Sequence, residues 1–293
     1  MEPTFTNREI AYKVVYDSIM GLLDKGVAPW RTPWKGSMPM NAITSRPYRG
    51  INLWILWCQP YSDPRWLTFN QIKAAGGTLK KGSKSVQVVF WSIVEKVDAN
   101  GKKSGIPFLR YFNVFNVEQV EGLSLAPLHR ENFVPNQTAD EVVDNFTDCK
   151  IKEGKRAAYY PRVDEIEMPP RALFESDDHY YSTLFHEMIH STGHGSRLNR
   201  PEVVNVGRFG TESYSEEELV AEMGAAFVSA YCGIESTVES SAAYIAGWKK
   251  KLSDSPKILI HAASKAQKAC DWLLKDFDEE SDKMSEKELS EVA

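Results

Sequence analysis

The sequence predicts an α+β protein in two domains, on three observations. Helical and strand-like hydrophobic periods both recur in the first 125 residues, the charge balance reverses partway along, and a proline-broken stretch separates the two regions. Residues 1–122 hold 16 Lys and Arg against 9 Asp and Glu, whereas residues 123–293 hold 19 against 31. Such an asymmetry points to a polyanion contact through the first half alone. The break falls in LSLAPLHRENFVPNQTAD, where prolines, Asn136 and Gln137 interrupt any regular period. The expected division is a first domain over 1–125, a linker over 126–140 and a second domain over 141–276. A disordered acidic tail is expected over 277–293, most of it the run DEESDKMSEKELSEVA, which lacks aromatics.

Within the first domain, NREIAYKVVYDSIMGLLDKG places Ile10, Val14, Ile19 and Leu22 or Leu23 at helical intervals and closes at Gly26. VAPWRTPWKG then reads as an extended, proline-stiffened stretch, and SRPYRGINLWILWCQPY as a turn feeding a buried helix or strand. WLTFNQIKAAGG looks helical up to its glycines and leads into the basic turn TLKKGSK. SKSVQVVFWSIVEKV and PFLRYFNVFNVEQVEGL alternate as strands about the turn DANGKKSG, which predicts a hairpin. Trp54, Trp57 and Trp66 sit in apolar runs and read as core. Basic residues interleave with aromatics around them: Trp30, Arg31, Trp34, Lys35, then Arg46, Tyr48, Arg49, then Lys73, Lys80, Lys81, Lys84 and Trp91. Single-stranded nucleic acid is held by such combinations, cations following phosphates and flat rings stacking on unpaired bases.

Within the second domain, KRAAYYPRVDEIEMPPRALF alternates as a hairpin just ahead of YYSTLFHEMIHSTGHG. On a helix, His186 and His190 project from one face about a turn apart, a spacing that grips one divalent metal. Phe185, Met188, Ile189 and Thr192 fall on the other side, so core and chemistry separate. Two imidazoles and a carboxylate on zinc leave a position for water, and Glu187, beside the first histidine, takes its proton. The HExxH pattern arises by chance in on the order of one in a hundred chains of this length, so a third ligand is needed.

YSEEELVAEMGAAFVSAY predicts a second helix with Glu218 and Glu222 on one face. The pattern Glu218-x-x-Ala221-Glu222-x-x-Ala225 resembles the second helix of glutamate-ligand zinc peptidases, which assigns Glu218 as ligand and Glu222 as the acid supporting it. His194 competes for the ligand position, with Gly193 expected to end the helix before it. Arg197, Arg208 and Tyr214 either polarise a substrate carbonyl or pin the loop between these helices. Two closing helices follow, with Trp248, Leu252, Ile258, Ala262 and Trp272 as core.

No apolar stretch approaches the 18 or so residues of a membrane span, and MEPTFTNREIAYK carries no apolar leader, so a cytoplasmic protein without membrane contact is expected. Cys58, Cys149, Cys232 and Cys270 are far apart and read as reduced thiols.

The succession VVYDSIMGLLDKGVAPWRTPW, YRGINLWIL, WLTFNQIKAAGGTLKKGSKSVQVVFW, YFNVFNVEQVEGL, LFHEMIHSTGHGSRLNR and SYSEEELVAEMGAAF resembles the ArdC-type antirestriction proteins of conjugative plasmids and phages, over residues 8 to 275. The resemblance implies an N-terminal single-stranded-DNA-binding domain joined to a C-terminal zincin-like metallopeptidase domain. It further implies zinc, with manganese an alternative, at His186 and His190, general-base duty for Glu187, and completion of the site by the acids Glu218 to Glu222. Trp30, Trp34, Tyr48, Arg49, Lys80, Lys81 and Lys84 would belong to the DNA surface. The activity implied is protection of entering DNA from restriction. Three mechanisms then diverge: cleavage of a DNA-bound protein such as a restriction subunit, plain occupancy of the strand with a structural metal, and removal of proteins crosslinked to DNA.

Overall fold

The computed structural model describes residues 7–28, 38–97, 103–125, 135–204, 212–234, 242–254 and 258–275. In chain order these form α1 (Asn7–Leu23), β1 (Met40–Asn41), α2 (Ile51–Trp57), β2 (Arg65–Thr68), α3 (Phe69–Ala74), β3 (Thr78–Leu79), β4 (Val86–Val97), β5 (Lys103–Asn116) and β6 (Val120–Glu121). There follow α4 (Pro135–Asp144), β7 (Lys150–Glu153), β8 (Ala158–Tyr160), β9 (Glu165–Met168), α5 (Asp177–Thr192), α6 (Pro201–Val204), α7 (Glu212–Tyr231), α8 (Ala242–Asp254) and α9 (Ile258–Leu273). The mixture of helix and strand is the α+β class expected. Trp30, Trp34, Arg208 and the acidic tail lie outside the described residues.

The chain divides into two compact units, Met1–Asn132 with Thr237–Ser264, and Phe133–Ser236 with Lys265–Ala293. A strictly linear order, with 141–276 in one block, therefore differs from the packing: α8 groups with the first unit, where Lys249 reaches Asp24 at 2.5 Å. Residues 135–140, expected as linker, form the start of α4.

In the first unit, α1 buries Val15, Ile19 and Leu23, each at most 1% exposed, at the i, i+4, i+8 spacing of one helix face. Val15 takes the inward position that opens this series. Gly26 ends the helix in the left-handed conformation at φ 77°, where a side chain would be strained, and Val27 N–H returns to Leu22 O at 2.9 Å. The run INLWILW is helical and buried at every position but Asn52, which bonds the Val89 backbone of β4 instead.

WLTFNQIKAA splits in two. Trp66 and Leu67 pair as strand β2 against Asn116 and Phe115, and Thr68 caps α3 through a reciprocal box with Gln71. The helical spacing of this run hides the boundary that the Thr68 cap sets inside it. β4 and β5 form the expected hairpin, in register from Val86 opposite Val114 to Val97 opposite Lys103. The four-stranded sheet runs β1-β2-β5-β4. One core, Leu56, Trp66, Val88 and Val114, lies on one side of it; a second, Leu67, Ile72, Val117 and Val120, lies under α3.

In the second unit, the sheet β7-β9-β8 carries the predicted hairpin as β8 and β9, antiparallel, with β7 parallel to β9. Ser176 caps α5 by accepting the His179 N–H at 3.2 Å, Asp177 and Asp178 occupy its first turn, and Gly193 ends it. Tyr181, Leu184, Phe185, Met188 and Ile189 of α5 are at most 1% exposed, and α7 answers with buried Leu219, Val220, Met223 and Phe227. The two helices approach closely at Gly224, where an added Cβ would stand 2.7 Å from Ile189 Cδ1. Among the closing residues, Trp248, Leu252, Ile258 and Ala262 are buried as expected; Trp272 is half-buried and donates its ring N–H to Asp148 at 2.5 Å.

Candidate metal centre

The close approach at Gly224 sets α7 beside the polar face of α5. His186 Nε2 and His190 Nε2 face each other at 3.1 Å, and the Glu218 carboxylate stands 3.7 Å from the first and 3.6 Å from the second. Two imidazole nitrogens so placed repel unless a cation or a shared proton lies between them. Four ligands about 2.1 Å from one ion at tetrahedral angles stand about 3.4 Å apart, so the donor set fits a zinc-sized ion. Among the described residues this is the one group of three or more His, Cys, Asp or Glu whose donor atoms all lie within 4.8 Å of one another.

The His190 ring is held from behind. Its Nδ1 donates to Glu217 Oε1 at 3.1 Å, which leaves the Nε2 lone pair aimed at the cluster. Glu217 is in turn gripped by Arg200, through Nη2 at 2.6 Å and Nε at 2.9 Å. Arg200 also donates to Thr192 Oγ1 at 2.7 Å and Ile189 O at 2.8 Å, so one guanidinium fastens the last turn of α5 to the start of α7. Burial would push the His190 imidazole down, but the Glu217 hydrogen bond and the charges of Glu217, Glu218 and Glu187 raise it. Burial raises the Glu217 carboxyl, and its bonds to His190 and Arg200 outweigh that and hold it below the ordinary value.

Glu187 is 9% exposed, and its Oε2 accepts the backbone N–H of Tyr159 in β8 at 2.8 Å. Burial pushes its carboxyl up, against the pull of His190 and of that N–H. A carboxylate with a raised pKa and one oxygen anchored suits proton transfer at the other.

Sequence reasoning nominated Glu222 as the supporting acid. It lies half-buried one turn beyond Glu218, while the carboxylate on His190 is Glu217. The acids Glu216, Glu217 and Glu218 diverge around the helix: Glu216 meets Lys265 at 2.7 Å, Glu217 meets Arg200, and Glu218 meets the histidines. Arg200 carries no local signal in the sequence; in the structure it is 4% exposed, and a cation so deeply buried requires an acid partner. His194 stands outside the cluster, its Nδ1 at 2.8 Å from Ser196 Oγ and 3.7 Å from Asp164.

Of the two roles open to Arg197, pinning is the one its contacts describe. It bonds Ser191 O at 2.8 Å, Asp148 O at 3.1 Å and both oxygens of Asp164, tying the β8–β9 turn to the end of α5. The side chains of Tyr214 and Arg208 are outside the described residues.

In the first unit, Arg49, Lys80, Lys81 and Lys84 are exposed. The Tyr48 ring packs against the Leu56–Trp66 core, and burial pushes its phenol up to about 12. Tyr48 is thus half-buried, with part of its ring against the core.

Residues 137–265 match the family described as zincin-like metallopeptidase, and residues 9–115 match the N-terminal domain of anti-restriction factor ArdC. Two proteins called DNA primase TraC, both from Escherichia coli, are 34% and 32% identical over 90% of this chain. The chain spans only 20% and 27% of their lengths. The protein y4eC of Sinorhizobium fredii is 30% identical over 89% of this chain and 91% of its own. Crystal structures of the antirestriction ArdC protein from plasmid R388, one metal-free and one Mn(II)-bound, superpose with a TM-score of 0.73. They are 35% identical to the chain over 90% of its length and 97% of theirs.

Proposed function

Because the chain belongs to the ArdC family of antirestriction proteins, we propose that it binds single-stranded DNA, shields incoming plasmid or phage DNA from restriction in the cytoplasm, and hydrolyses a peptide bond in a DNA-associated protein. The observation carrying the hydrolytic part is the convergence of His186, His190 and Glu218 with Glu187 anchored beside them. His186, His190 and Glu218 would hold a divalent metal, which would supply Lewis acidity toward water and carbonyl oxygen. The protein does the rest. Glu187 accepts the proton on its free oxygen and returns it to the leaving nitrogen, while the Tyr159 N–H keeps the carboxylate from swinging away. Glu217, steadied by Arg200, fixes the His190 tautomer. Edge strand β8, beside Glu187, offers a backbone against which an extended peptide pairs. The kinship with proteins called primases supports a setting on DNA.

The deciding comparison is wild type against Glu187→Gln, with metal content measured alongside survival of DNA entering a restricting host. The variant is expected to keep its metal and to lose peptide hydrolysis by on the order of 10²-fold or more, and protection with it. A second reading, with the metal as a brace and the strand merely covered, draws on the buried Arg200–Glu217–His190 chain that joins α5 to α7. Full protection by a metal-loaded Glu187→Gln protein would select that reading and discard the hydrolytic one.

A further inference from the structure

Resting on the strand-binding reading above, we propose that the open face of the four-stranded sheet beside α3 is the platform on which unpaired bases stack, with Phe69 and Tyr111 as its ring surfaces. The sheet's two faces are unequal. Val88 and Val114 point into the Leu56–Trp66 core, which closes one side. On the other side, Leu67 and Phe115 are roofed by α3 through Ile72. The two-residue period of β5 then carries Asn113 and Tyr111 along that same face, where Gln87 and Val89 of β4 stand opposite them in register. Here the roof stops: Asn113 is exposed, and Tyr111 is 40% exposed.

Phe69, the first residue of α3, is 45% exposed next to this face, and the Lys73 ammonium lies 4.8 Å from the centroid of its ring. Lys80, Lys81 and Lys84, just before β4, add exposed cations. The neighbouring acids are Glu121 and Glu118, and the second is already engaged, its Oε1 accepting N–H groups from Ser62 and Asp63 at 2.7 Å each. Two exposed rings set among the amides of Asn113 and Gln87, with the Lys73 ammonium at one of them, do not make the continuous apolar patch that a folded protein partner covers. They match a polyanion whose bases are free, because a base lends its face only when it has left the duplex.

The test uses the full chain and a labelled oligothymidylate of about 20 nucleotides, titrated over a range of salt. Tyr111→Ala and Phe69→Ala are each expected to weaken binding about tenfold without changing the salt dependence, as lost stacking does. Lys73→Gln is expected to flatten the dependence of log K on log salt by about 0.7, one phosphate's worth. Ring variants that bind like wild type, while Lys80→Gln and Lys84→Gln weaken binding, would overturn the platform and leave strand binding intact. A wild-type chain that ignores the oligonucleotide would remove both. Photo-crosslinking of the unaltered chain to 5-iododeoxyuridine strands covers the case of a variant that misfolds: adducts on Tyr111 or Phe69 sustain the platform, and adducts confined elsewhere overturn it.

Discussion

At the scale of single residues, the metal centre depends on side chains that never touch the ion. Arg200→Met leaves Glu217 buried without its cation and frees the His190 ring, so metal affinity is expected to fall by about 10- to 100-fold. Competition with a chromophoric chelator measures this, while melting of the chelator-stripped protein reports separately on stability, where loss of a buried partner costs about 3–5 kcal/mol. Unchanged affinity despite a lower melting point would reduce Arg200 to a purely structural part. Asp164 makes a different forecast. Burial pushes its carboxyl up, but the hydrogen bonds from Arg197 and Tyr159 outweigh this and leave it below the ordinary carboxylate value. A carboxyl depressed in the folded state stabilises above its unfolded pKa, and that stabilisation disappears as pH falls through the folded one. Denaturant titrations of wild type are therefore expected to lose stability as pH drops below about 4, with a shallower loss in Asp164→Asn. Equal slopes for the two proteins would show that the Arg197 clasp contributes nothing. Spacing put His186 and His190 on one helix face in the sequence, and a likeness to the second helix of glutamate-ligand zinc peptidases pointed to Glu218, whose donor atom lies within 4.8 Å of theirs. Glu217 and Arg200 were not legible, since they meet across 17 residues of chain whose path no local period encodes.

At the scale of elements, the α5–α7 crossing decides whether the three donors meet. A methyl group on Gly224 would stand 2.7 to 2.9 Å from three carbons of Ile189, closer than packed atoms allow. Gly224→Ala is expected to cost about 1–3 kcal/mol and to weaken metal binding, because α7 must retreat with Glu218 on it. Paring the opposing side chain with Ile189→Val should recover part of both losses, and a double variant no better than the single one would locate the effect elsewhere. α1, α5 and α7 were readable from their apolar periods and Gly193 from its place after α5, whereas the Ser176 cap that opens α5 was not. WLTFNQIKAA misled because the strand β2 and the helix α3 share one apolar run, and only the Thr68–Gln71 box divides them. The β4–β5 hairpin was plain, since two alternating runs flank a turn-rich interval.

At the scale of the whole chain, the charge asymmetry assigns different work to different residues. Strand binding is expected to survive removal of the metal: His186→Ala, or wild type in excess chelator, should hold oligonucleotide as tightly as the loaded protein at equal salt. A large drop in affinity on stripping would show that the two activities are coupled. The sign change near residue 122 was visible in composition, and so was the division it implies. The placement of α8 with the first unit was not, because an apolar helix face carries no address. The last consequence lies in three consecutive acids. Glu216, Glu217 and Glu218 leave α7 at successive angles of about 100°, toward an ammonium, a guanidinium and a pair of imidazoles. Turning the cylinder by a third of a revolution would misassign every one of these contacts together. The helix thus has a single angular setting, keyed at three points like a tumbler lock.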